Sequence, residues 1–225
     1  MTSKLDWNSV GGNKKSGTGS GSGKKLKNLE FVKFVDGSSV NIRPLGNPIV
    51  FLKAGMTVNG KYRSAIIEDP DSPVVKKFSN MNVNERYAVN VIDRSDKKIK
   101  IMEGPLSIFG EFKSYSEHTN ENPGLSNGAD FSIKASGDGK NRRYVTKFSS
   151  KTVLTDEEKA MIKEQGLYDL EKVFKVVPDD ELESKLFDDP SKQPNKKTGS
   201  GVAEELGLDS VETETSSSDD LDLNF

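Results

Sequence analysis

From residue 26 onward the chain alternates short runs rich in β-branched and aromatic residues with clusters of turn residues. The runs fall at 31–35, 40–43, 49–53 and 62–67. Two further pairs, 86–92 with 98–102 and 129–135 with 142–148, bracket the polar strings 94–97 and 136–141. Runs of this length bounded by Gly, Pro, Asn, Asp and Ser predict strands, and Asp36-Gly37 ahead of alternating Val40 and Ile42 predicts a hairpin. Many short strands with closely spaced turns favour a barrel or a sandwich.

Helical spacing interrupts the strands in few places. Pro105 suits a first helical turn, and Ile108, Phe112 and Tyr115 recur on one side behind it, so a helix is expected to pack on the sheet through Phe109, Phe112 and Tyr115. Thr155-Asp156-Glu157-Glu158 has the form of a capping box and Gly166 that of a stop, which predicts a helix over 155–165. Shorter helices are expected at 169–174 and 179–187.

The ends are polar. Gly17-Thr18-Gly19-Ser20-Gly21-Ser22-Gly23 reads as a tether, so residues 1–25 are expected to form a flexible arm that carries Trp7 and Lys14-Lys15 away from the body. Residues 26–177 form the predicted folded domain. Residues 178–225 are expected to be a helical and linker segment that runs into a disordered acidic tail.

Charge sharpens this division. Residues 178–225 hold 14 of the 35 acidic residues but only 4 of the 33 basic ones, so a total near neutrality hides a basic body and an acidic end. That asymmetry suggests a polyanion ligand with an internal competitor. With no Cys and a single His, disulfides, thiolate nucleophiles and Cys- or His-rich zinc sites are excluded. The first residues lack the apolar stretch of a secretory signal and no run approaches a membrane span, so a cytoplasmic protein without membrane contact is expected.

Candidate catalytic groups are sparse. His118 sits in a polar stretch that predicts an exposed loop, and Gly137-Asp138-Gly139-Lys140 lacks the spacing of a phosphate-binding P-loop and is accounted for as a turn. No acidic pair has the spacing of a general acid and base, so neither an enzyme nor a metal or other cofactor is expected. Cations interleaved with aromatics on strands are, by contrast, what single-strand binding requires: cations follow phosphates and rings stack on bases. Lys61-Tyr62-Arg63, Arg86-Tyr87 and Arg142-Arg143-Tyr144-Val145-Thr146-Lys147-Phe148 all have this form. The expected contacts are Arg43, Lys53, Lys61, Tyr62, Arg63, Arg86, Lys134, Arg142, Arg143, Tyr144 and Lys147, with Tyr62 and Tyr144 stacking. Tyr87 shares a strand face with Val89 and Val91 and is assigned to the core.

Residues 63–67, 86–93 and 98–109, followed by Gly128-Ala129-Asp130-Phe131-Ser132-Ile133 and Arg142-Arg143-Tyr144, resemble the helix-destabilising, single-stranded DNA-binding proteins of T-even phages and their relatives. The resemblance spans roughly residues 28–177. It implies an OB-type barrel with a basic, aromatic groove, a terminus that assists cooperative coating by self-association on DNA, and an acidic tail that recruits replication, recombination and repair proteins in the host cytoplasm. Relatives commonly carry a Cys-rich zinc subdomain after the segment matching 63–67. Here Glu68-Asp69-Pro70-Asp71-Ser72-Pro73-Val74 contains no Cys, so zinc is not carried over.

At the acidic end, Asp219, Asp220 and Asp222 are expected to occupy the cationic groove when it is empty, while Leu221, Leu223 and Phe225 anchor in a partner's pocket once DNA displaces them. Two other classes fit the same residues: an RNA-binding OB protein, and a structural or scaffolding phage protein without a groove.

Overall fold

The computed structural model describes residues 2–11 and 29–187. In chain order the strands are β1 (Ser3–Lys4), β2 (Ser39–Val58), β3 (Lys61–Ile67), β4 (Asn82–Asp93), β5 (Lys98–Gly104), β6 (Ala129–Ser136) and β7 (Arg143–Lys151). The helices are α1 (Pro73–Lys77), α2 (Leu106–Thr119), α3 (Asp156–Gln165), α4 (Leu170–Val173) and α5 (Asp179–Phe187). The protein is thus mainly β with added helices, and all seven strands join one antiparallel sheet with the main path β5-β4-β2-β6-β7.

β2 organises this sheet. The runs expected separately at 40–43 and 49–53 fuse into one strand of 20 residues. Gly46-Asn47-Pro48 has turn chemistry, yet the chain does not reverse there. Gly46 takes a positive φ of 73° and donates to Gly124 O at 2.8 Å, so the irregularity between Leu45 and Ile49 is a bulge that bends the strand. Along one side of β2 runs β4; the other side is shared in sequence by β6, β1 and β3.

Alternation along the strands sends side chains to two faces. The inner face carries Ile42, Val50, Tyr87, Val89, Val91, Met102, Phe131 and Ile133, covered by Ile108, Phe109 and Phe112 of α2. The outer face carries Ile49, Phe51, Ala88 and Ile101 under Leu170 and Phe174, and Leu45, Ile92 and Ile99 under Leu154. The segment from 152 to 174 therefore lies over the middle of the outer face.

The arm expected over 1–25 begins differently. β1 pairs with Ile49 and Val50, and Trp7 is fully buried between α2 and the sheet, its indole 5.2 Å from the Phe112 ring and its Nε1–H donating to Gly46 O at 3.1 Å. Burying a side chain of this size contributes on the order of 2–3 kcal/mol, which outweighs the polar composition of its neighbours. The Gly-rich tether and Lys14-Lys15 lie outside the described residues. At the other end α5 buries Leu182 and Leu186 against Ala65 and Ile67 of β3, so the folded body continues past 177 to Phe187.

The segment expected as a strand at 31–35 forms only an isolated bridge, Phe31 with Ile101. It crosses a gap instead. Val32 donates to Ile101 O and Ile101 to Glu30 O at the β5 edge; Phe34 O accepts from Arg142 and Gly37 N donates to Ala135 O at the far side. No strand pair among the described residues joins β5 to β7, so the sheet is open and residues 30–37 line its seam. The expected hairpin at Asp36-Gly37 is only a turn leading into β2.

The helices lie close to their expected bounds. Thr155 and Glu158 form the reciprocal capping box that starts α3. His118, expected in a loop, occupies the last turn of α2 and is exposed, with Nδ1 2.6 Å from Ser114 O. The segment 68–74 contains the start of α1, where the Ser72 hydroxyl accepts from Val75 N and Pro73 takes the first turn, so capping chemistry orders it. Among the described residues no helix is long and apolar enough to cross a membrane.

Candidate nucleic-acid interface

Beyond Phe51 and Ile66 the cover on the outer face ends. β2, β3 and β4 continue as a three-stranded ribbon whose register is set by Val58-Asn59-Gly60-Lys61. Asn59 and Gly60 take φ of 50° and 75°, the left-handed pair that a two-residue hairpin turn needs. That turn places Thr57 opposite Tyr62, and Gly55 opposite Ser64 on one side and Asn82 on the other. The next row holds Ile66, Lys53 and Asn84, and Arg86 stands opposite Phe51. All of these side chains share the outer face.

Tyr62 is the centre of this surface. Its side chain lies over Gly55, where a β carbon would come within 2.6 Å of Cζ, and the residue is 65% exposed. Glycine thus lets the ring lie close to the sheet with its other side open. Lys53 is half-buried and ion-paired with Glu103 at 2.7 Å, and Arg86 is half-buried beside it. The ribbon's inner face is closed by α1 and α5 through Val75, Leu182 and Leu186.

Of the expected contacts, the ribbon brings together Lys53, Tyr62 and Arg86. Lys61, at the ribbon tip, and Arg63, opposite Met56, alternate to the inner face. A second group lies on the outer face of the β6–β7 hairpin. There Lys134 stands opposite Val145, Ser132 opposite Lys147 and Ser136 opposite Arg143, with Lys134, Arg143 and Lys147 all exposed. The 152–174 segment covers the same sheet face between the two groups.

Three expected contacts are placed otherwise. Arg43 is completely buried beneath residues 152–158 and donates to Thr152 O at 2.8 Å, Thr152 Oγ1 at 2.7 Å and Leu125 O at 2.6 Å. Its alternation does point outward, but the chain after β7 folds over it. Burial pushes its pKa down and nearby Arg94 adds to this, while Asp130, 3.7 Å away, opposes both. Asp130 is in turn held by Arg94 through paired bonds of 2.9 and 3.0 Å, and Arg94 also pairs with Glu158 of α3. The network latches the 152–158 segment onto the sheet.

Tyr144, expected to stack on a base, is half-buried and packs edge-on against Phe34 at 5.2 Å. On the same face Thr146 donates to Ile108 O and Phe148 stacks on Tyr115 at 5.4 Å, so this side of β7 faces α2. Arg142 spends donors on Phe34 O and Gly137 O and fastens its own loop. The tail residues Asp219, Asp220, Leu221, Asp222, Leu223 and Phe225 lie outside the described residues.

Sequence reasoning does not single out Gly55, Ser64, Asn82 and Asn84. The Asn59-Gly60 turn between two apolar-polar runs is the available signal, because a two-residue loop fixes which residues face each other. Among the described residues, no group of His, Cys, Asp and Glu side chains is arranged to hold a metal ion. A 440 Å³ recess near the seam is lined by Lys33, Ser39, Asp93, Ser95 and Lys100, and there Lys100 bridges Asp93 at 2.8 Å and Asp96 at 2.7 Å. No family model matches the chain, and no curated protein matches it.

Proposed function

We propose that the protein binds single-stranded nucleic acid, DNA in the first instance, on the β2–β3–β4 ribbon, and coats it without catalysis during replication, recombination and repair. The observation that carries this reading is the exposed Tyr62 ring over Gly55, flanked on one open strand face by Lys53 and Arg86. A base stacked on an aromatic ring gains about 1–3 kcal/mol with little regard to sequence, and neighbouring cations take the phosphates. Lys134, Arg143 and Lys147 on the β6–β7 face serve as a second phosphate strip. An OB-type barrel suits the strand path, since such barrels are five-stranded and partly open, and residues 30–37 then act as the filler of the open seam. The acidic end, with Asp219, Asp220 and Asp222 beside Leu221, Leu223 and Phe225, offers partner proteins a charged and apolar hook.

The test is anisotropy titration of a labelled single-stranded 12-mer and its duplex at two salt concentrations. Preference for the single strand, with affinity that falls with salt and drops about 5- to 150-fold in Tyr62→Ala, is the expected result. Equal affinity for duplex, or an unchanged Tyr62→Ala protein, would defeat it.

A further inference from the structure

The ribbon holds more than a stacking ring and two cations. On the outer face Gly55 has Asn82 directly across on β4 and Ser64 directly across on β3, and Asn84 follows Asn82 by one alternation beside Lys53. Both asparagines are exposed, and neither carboxamide makes a hydrogen bond to another described residue. They sit on the strand next to the one Tyr62 covers. A base lying flat on Tyr62 therefore directs its edges sideways along the sheet, toward Asn82 on one side and Ser64 on the other.

The geometry points to base reading: the ribbon distinguishes the bases it stacks and prefers adenine to thymine through the carboxamides of Asn82 and Asn84. This rests on the single-strand reading above. A carboxamide presents one donor and one acceptor side by side, and adenine offers the complementary pair twice, on its N1/N6 and its N6/N7 edges. Thymine offers such a pair on either side of N3–H, with O2 or O4, but both share one donor on a single edge, and its smaller ring has less area over Tyr62. Bases unstacked in a single strand expose both edges to side chains, as duplex bases do not. Lysine and arginine in these positions would donate only, and would bond phosphates as readily as bases. Two uncharged asparagines in successive rows of the strand beside a stacking ring are instead suited to an edge that carries both a donor and an acceptor.

The experiment compares a thymine 9-mer with the same 9-mer carrying one central adenine, which avoids the self-stacking of adenine runs. Both are titrated against the full chain and against Asn82→Ala/Asn84→Ala and Asn82→Gln/Asn84→Gln, with circular dichroism to verify each fold. The native protein is expected to bind the adenine-containing strand at least about fivefold more tightly, as one well-made bidentate contact provides. The ratio should fall to within about twofold of unity in the alanine variant and return in part in the glutamine variant. Equal binding of the two strands by the native protein, or a preference that survives in the alanine variant, would overturn base reading and leave single-strand binding intact. Failure of both strands to bind would remove both proposals.

Discussion

Tyr62 and Gly55 form a single unit: the tyrosine ring covers the glycine backbone two residues down the partner strand, in the space a β carbon would fill. Gly55→Ala should lift the ring off the sheet. Because the displaced group is an exposed side chain, the fold should be spared, with the melting temperature moving by no more than about 3 °C. Oligonucleotide affinity should drop severalfold, toward that of Tyr62→Ala. Native affinity in the Gly55→Ala protein would show that the ring's position is irrelevant to binding.

The two tyrosines expected to stack should separate cleanly. Tyr62→Ala should lower single-strand affinity without loss of stability. Tyr144→Ala, whose ring packs on Phe34 and the core, should lower unfolding free energy by about 1–3 kcal/mol and leave affinity within about twofold. Urea denaturation and anisotropy on the same preparations measure both.

Salt dependence tests the second strip. With contacts from Lys53 and Arg86 together with Lys134, Arg143 and Lys147, log affinity should fall against log salt with a slope of roughly −3 to −4, at about −0.7 per phosphate. Replacing Lys134, Arg143 and Lys147 by Ala should reduce the slope by about 2. An unchanged slope would confine the strand to the ribbon.

Arg43 should matter to stability. Arg43→Met leaves Thr152 O and Leu125 O without their donor and Asp130 without one of its two cations, so a loss of about 3–5 kcal/mol is expected in urea denaturation.

Asp93 supplies a pH signature. Its burial opposes ionisation, but bonds from Lys100 and Ser95 outweigh this and hold the carboxyl below its ordinary pKa. A depressed carboxylate stabilises the fold above the unfolded-state pKa of about 4, and that contribution fades as pH falls through the lower, folded value. Asp93→Asn should therefore be less stable than the native protein at about pH 6. The difference should shrink steadily below about pH 4 in thermal melts.

Much of the fold is legible in the sequence because local signals agree with it. The capping box at Thr155, the spacing of Ile108, Phe112 and Tyr115, and the alternation through Val89 and Val91 each carry their own physics and need no distant partner. What is not legible depends on chain folding back from afar. Alternation correctly sends Arg43 outward, yet only the return of residues 152–158 decides that outward there means buried. Trp7 in a polar opening reads as detached because the cavity that receives it is built by α2, far along the chain. The candidate site divides in the same way: Tyr62 and Arg86 lie in locally interleaved strings, whereas the placement of Tyr144 is set by Phe34, which approaches it across the seam.

That seam gives the body a parting line. Between β5 and residues 30–32 only two backbone bonds, from Val32 to Ile101 and from Ile101 to Glu30, hold the margin, whereas every other junction of the main path is a full ladder. Breathing of the interior should begin there, so the amide protons of Val32 and Ile101 should exchange with solvent ahead of those of Val89 and Val91.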